Sequence, residues 1–104
     1  MSRFHNGMRP IHPGEILGEE YLVPLRMTPN ALATALHVTA NRINDIVLER
    51  RGITPDTALR LARYFGGDAE TWLNLQQEYD LKVTKQQHGD EIAKEIAPRE
   101  AEPA

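Results

Sequence analysis

Asn41, Arg42, Asn44 and Asp45 lie within five residues of one another, beside Ala40, and their side chains can hydrogen-bond the edges of nucleic-acid bases. An asparagine pairs bidentately with adenine and an arginine with guanine, each pair contributing roughly 1–3 kcal/mol of discrimination. Thr39 just before them, and Arg50 and Arg51 just after, are of the types that hold phosphate. The chemistry expected of this stretch is recognition of double-stranded DNA, with no bond made or broken.

Other chemistries find little support. His5, His12, His37 and His88 are scattered, and none is spaced with a second histidine or a carboxylate as a zinc-binding helix requires. There is no glycine-rich phosphate loop, no serine on a nucleophile elbow and no cysteine, and Glu19-Glu20 reads as the wet side of a helix rather than an acid/base pair. The expectation is no enzyme, no metal, no cofactor and no small-molecule substrate. A small ribonuclease would call for a basic chain with converging catalytic groups. This chain carries a formal charge of −3.

The elements around the polar set read as helices. Thr28 suits an N-cap and Pro29 the first helical position, and Leu32, Ala33 and Leu36 then share one face. After the short joint His37-Val38, Thr39 offers a second cap to a helix whose stripe is Ile43, Ile46 and Val47. That is helix, turn, helix, with Ala40, Asn41, Arg42, Asn44 and Asp45 off the buried stripe, as a recognition helix presents them. Upstream, Pro13 opens a helix with Leu17, Tyr21 and Leu25 in register, and Pro24 is expected to end it or tighten its last turn. Downstream, Thr54-Pro55 repeats the opening device, Ala58, Leu61, Ala62 and Phe65 form the buried face, and Gly66-Gly67 stops that helix. Asp68 caps a fifth helix carrying Trp72, Leu75, Gln76 and Tyr79 on one side. Such a helix can bury one face at home and offer another to a second copy, although Trp72 also reads as plain core.

The fold class is all-α. Residues 1–9 read as a flexible N-terminal arm, 10–81 as one DNA-binding and dimerisation domain, and 82–104 as a charged C-terminal tail. In that tail Asp90 to Ala97 could make one or two helical turns with Ile92 and Ile96 aligned. At 104 residues, 40% hydrophobic and 26% charged, the chain suits a single domain. It has no apolar run long enough for a bilayer, no secretory signal and no cysteine, so a cytoplasmic location is expected. Between His37 and Arg63 five arginines stand against three acids, which makes the middle of an acidic chain its basic part.

Three separated stretches also resemble a known family. They are Met8 to Leu17 (MRPIHPGEIL), Arg50 to Ala62 (RRGITPDTALRLA), and Trp72 to Gln76 with Tyr79 to Leu81. Together they resemble the HigA-type antitoxins of the lambda-repressor-like helix-turn-helix class. The resemblance implies a five-helix domain that dimerises mainly through its last helix, with Trp72, Leu73, Leu75, Gln76 and Tyr79 at the interface. It implies a palindromic operator in the chain's own promoter, and a HigB toxin partner, a small basic ribonuclease of the RelE type that cleaves mRNA. Toxin contacts would then fall in the N-terminal part, on His12, Glu15, Ile16, Glu19 and Glu20. Two departures from the wider class stand out. His37 occupies the turn where glycine is common, and Ala40 opens the recognition helix where a long amide is more usual. The alternative within the same fold is a stand-alone repressor with no toxin partner.

Overall fold

Each of the five helices in the computed structural model, which describes residues 9–100, begins with a side chain that accepts a backbone N–H of its first turn. His12 Nδ1 takes Gly14 N–H at 2.8 Å to start α1 (13–25), and Thr28 takes Ala31 N–H at 3.0 Å to start α2 (Pro29–Leu36). Thr39 caps α3 (Ala40–Val47), Thr54 caps α4 (Pro55–Phe65) and Asp68 caps α5 (Ala69–Glu95). Prolines at the start of α1, α2 and α4 forgo an N–H that a helix leaves unbonded anyway. Each capping contact contributes about 1 kcal/mol.

The middle of α1 widens into a π-helical stretch, Leu17–Leu22, and Val23 N–H reaches back to Gly18 O. Pro24 explains the widening. It has no N–H for the carbonyl one turn earlier, and its ring crowds that carbonyl, so the preceding turn opens to a longer bonding pattern. The helix continues one residue beyond the proline to Leu25, then stops at Arg26, whose φ of 53° is left-handed.

Leu17 from α1, Leu32 from α2, Ile43 and Ile46 from α3, and Leu61 from α4 are fully buried in one core, and Trp72 closes it from α5. Burying each aliphatic side chain contributes roughly 1.5–3 kcal/mol. The indole of Trp72 lies 5.2 Å from the ring of Tyr21, which also meets Phe65 at 4.8 Å. Gly14 sets how closely α1 approaches α3. A Cβ there would lie 1.8 Å from the carbonyl oxygen of Ile46, so only glycine allows the crossing.

α5 corrects one expectation. It is continuous for 27 residues to Glu95, well past Leu81, where the apolar pattern stops, and past the start of the short turn foreseen at Asp90. The loss of large apolar residues after Leu81 signals loss of burial, not loss of helix. Lys, Gln and Glu are good helix formers, and no proline intervenes before Pro98. At 1.5 Å per residue such a helix is about 40 Å long, and the molecule measures 59 × 28 × 23 Å. No helix among the described residues is long and apolar enough to cross a membrane. The proposed N-terminal arm, apart from Arg9, lies outside the described residues.

Candidate nucleic-acid interface

α2 and α3 meet through a joint of three residues. His37 ends α2 in the left-handed region, φ 59° and ψ 45°, and its N–H bonds to Thr34 O at 3.2 Å while Val38 N–H bonds to Ala33 O at 3.0 Å. Histidine is among the side chains that tolerate this conformation better than most, which accounts for its standing in glycine's usual place. Thr39 then turns the chain, its hydroxyl accepting Arg42 N–H at 3.3 Å.

With Ile43 and Ile46 buried, α3 leaves Ala40 and Asn41 exposed at its N-terminal end. The Asn41 amide makes no hydrogen bond among the described residues and is free to read a base edge. The other three polar side chains are engaged. Asn44 Nδ2 donates to Asn30 Oδ1 at 2.8 Å and to Ala40 O at 2.9 Å, which ties α3 to the first turn of α2. Arg42 Nη1 donates to Asp56 Oδ2 and lies 3.4 Å from Thr57 Oγ1, both in the first turn of α4. Asp45 turns towards the loop that follows α3, where its oxygens stand 3.4 Å from Arg50 Nη2 and 3.6 Å from Arg51 Nη2.

Arg50 and Arg51 are exposed, and the loop that carries them is anchored by Arg50 N–H on Asp45 O at 2.7 Å after the left-handed Glu49. Exposed pairs such as these contribute about 0–1 kcal/mol. A phosphate can therefore replace Asp45 as their partner at little cost. On the far side of the loop, Ile53 N–H donates to Gln76 Oε1 at 2.8 Å, fastening it to α5.

Several residues expected at interfaces are spent inside the molecule. Trp72 is 4% exposed and belongs to the core, so it has no surface to give a second copy. Gln76 holds Ile53 N–H and donates to Asp80 at 3.0 Å, and the Tyr79 ring stands edge-on to His12 at 4.8 Å. Leu73 and Leu75 are half-buried against the core, and exposed Leu81 follows them.

Two of the toxin-contact candidates are likewise turned inward. His12 is 4% exposed and caps α1, and Glu15, also buried, pairs both its oxygens with Arg9 at 3.0 and 3.2 Å. Burial pushes the His12 imidazole below its ordinary value, against the pull of Glu49 and Asp80. Ile16 is half-buried, and Glu19 and Glu20 face solvent.

Asn30, Asp56 and Arg60 join the site although the sequence shows them only as ordinary polar residues of their helices. Asp56 was legible only as an acid in the first turn of α4. In the structure one of its oxygens takes both Arg42 and Arg60 Nε, the latter at 2.9 Å, and these two guanidinium groups, Arg60 first, hold its carboxyl below the usual range. Arg60 Nη1 also donates to Leu36 O, the last carbonyl of α2, at 2.8 Å. The one available signal was its place four residues after Asp56, a helical ion-pair spacing.

Two capped helices at a tight joint, the second with polar residues at its exposed N-terminal end and arginines just after it, define a helix-turn-helix DNA-binding protein. Residues 19–72 match the helix-turn-helix family HTH_3. The chain is 65% identical over 81 residues to virulence-associated protein I of Dichelobacter nodosus, covering 78% of this chain and 75% of that protein. It is 36% identical over 90 residues to antitoxin HigA-1 of Vibrio cholerae, covering 86% and 84%. Among solved structures, Pseudomonas aeruginosa antitoxin HigA with the higBA promoter superposes with a TM-score of 0.85 at 52% identity, over 86% of this chain and 98% of that one. The chain belongs to the HTH_3 helix-turn-helix family and, within it, to the HigA-type antitoxins.

Proposed function

We propose that this protein is an antitoxin that binds and neutralises a HigB-type, mRNA-cleaving toxin and, as a homodimer, represses its own operon at a palindromic operator. The observation that carries the reading is the 52% identity, over nearly the whole length, to a HigA seen with the higBA promoter. The chain's own geometry fits it. Asn41 makes no hydrogen bond among the described residues at the tip of the recognition helix, Arg42 stands behind it, and the exposed Arg50 and Arg51 flank the helix, available to phosphates. Two copies joined along α5, through Leu73, Leu75 and Leu81, would present their recognition helices to half-sites about 34–36 Å apart. The chain's net charge of −3 complements a basic toxin, and opposite fields speed encounter. The exposed Glu19 and Glu20 on α1 are the surface acids that remain from the expected contact set.

The test is co-expression with the neighbouring small reading frame. Growth should be rescued and a stable complex should purify, and the complex or the free dimer should bind the promoter of the pair. A neighbouring product that is neither toxic nor bound, beside intact promoter binding, would leave a stand-alone repressor in its place.

A further inference from the structure

We propose that Asp56, which lies outside the helix-turn-helix pair, is the positioning residue that aims Arg42 at a base and so sets part of the sequence specificity. The inference rests on the base-reading role given to Arg42 above and adds to it a residue on another helix. Its basis is geometric. Arg42 Nη1 is held by Asp56 Oδ2 and faces Thr57 Oγ1 at 3.4 Å, while Arg42 Nε and Nη2 have no partner among the described residues. Nε and Nη2 form the edge of a guanidinium that donates two parallel hydrogen bonds, the arrangement that reads guanine through O6 and N7. Asp56 therefore occupies the nitrogen not needed for reading and leaves the useful edge open.

Asp56 is itself held. Arg60 Nε binds the same oxygen at 2.9 Å, and Arg60 Nη1 reaches Leu36 O at 2.8 Å. One carboxylate thus connects the end of α2, the recognition helix α3 and the start of α4. A long arginine side chain loses considerable rotamer freedom on binding a base. A fixed carboxylate removes part of that loss before DNA arrives, and the benefit goes only to sequences that offer the matching base.

The experiment uses the full chain and duplexes that the wild type selects from a random-sequence pool. Affinities are measured for the best duplex and for each single base-pair change in it, so that discrimination ratios are read rather than affinity alone. The distinction matters, because removing an acid beside DNA strengthens binding to every sequence. Arg42→Ala should reduce the ratio at one position in each half-site by about tenfold or more. Asp56→Asn should reduce the ratio at that same position by about three- to tenfold, Asp56→Glu should recover part of it, and Asp56→Asn added to Arg42→Ala should change it no further. Circular dichroism and thermal unfolding verify that each variant is folded, and Arg60→Ala, which loosens Asp56 without touching Arg42, gives a smaller loss at the same position. If Arg42→Ala alters no ratio, the base-reading role fails and this proposal with it. If Arg42→Ala acts as stated while Asp56→Asn leaves the ratio intact or lowers all sequences equally, only the role of Asp56 is overturned.

Discussion

The recognition helix α3 and the distal part of α5 both project polar residues into solvent, yet they are held in opposite ways. α3 is eight residues long and is fastened by two buried isoleucines, by Asn44 to Asn30, by Arg42 to Asp56 and by Asp45 to Arg50 and Arg51. The part of α5 beyond Val83 is exposed throughout except at Gly89, and among the described residues its one side-chain bond pairs His88 with Glu91 within the same helix. A short helix that must meet DNA in one orientation cannot rely on its own propensity, since helices of this length are marginal in water. The distal α5 continues a helix already nucleated by its docked first half, so it needs no such fastening. Exposure alone therefore does not identify a working side chain. In α3 the polar groups are mostly engaged with partners on α2, on α4 and on the following loop, and Asn41 stands apart.

The largest effect that separates the two regions is expected at Gly14. An added Cβ would meet the backbone carbonyl of Ile46, which no side-chain motion relieves. Gly14→Ala should destabilise the fold by about 1–3 kcal/mol or more and displace α3, with operator binding lost beyond what the unfolded fraction explains. Urea titration and binding at the same temperature measure both. A variant as stable and as tightly bound as wild type would mean that α1 does not seat the recognition helix.

The next effect is electrostatic. Arg51→Ala should weaken binding to all duplexes similarly and reduce the slope of log affinity against log salt by about one unit. Titrations at several salt concentrations measure this, and a change confined to one base pair would instead make Arg51 a reader.

Acid should loosen the docked regions together. Burial lowers the pKa of His12, which accepts Gly14 N–H and rests on Tyr79. The unfolded chain therefore binds a proton more readily than the folded one. The stability His12 contributes is complete above the ordinary histidine value of 6.5, declines as pH falls below it, and is lost once pH passes below the folded-state pKa. Denaturation midpoints measured from pH 8 to 5 should fall more steeply for the wild type than for His12→Asn, which keeps a capping oxygen but does not titrate. Parallel curves would remove His12 as the cause.

The smallest effect belongs to the distal α5. Ile92 is 45% exposed, and in the monomer Ile92→Lys should alter stability by no more than about 0.5 kcal/mol. A larger loss that depends on protein concentration would show that a second copy covers this stretch.

Much of the fold was legible because its signals are local. The caps at Thr28, Thr39, Thr54 and Asp68, the prolines after Thr28 and Thr54 and the stripes of Leu32, Leu36, Ile43, Ile46 and Leu61 each declare a helix and its buried face within one or two turns. The length of α5 was not legible in the same way, because apolar periodicity reports packing and its polar half is unpacked. Candidate site residues fared unevenly for a related reason. Types and spacing place Asn41, Arg42, Arg50 and Arg51 near one another without showing which of them is already engaged.

From the sequence alone came the five all-α elements, the helix-turn-helix joint and the basic stretch within an acidic chain, all of them properties of neighbouring residues. Tertiary structure decided that Trp72, His12 and Glu15 are interior, and that α1 crosses α3 closely at Gly14. It also decided that Arg42 bonds to Asp56, fourteen positions away. Such pairings need two helices to be packed before their side chains can meet. A one-dimensional pattern shows each partner as an ordinary polar residue on its own helix, and only the packed core brings them within hydrogen-bonding distance.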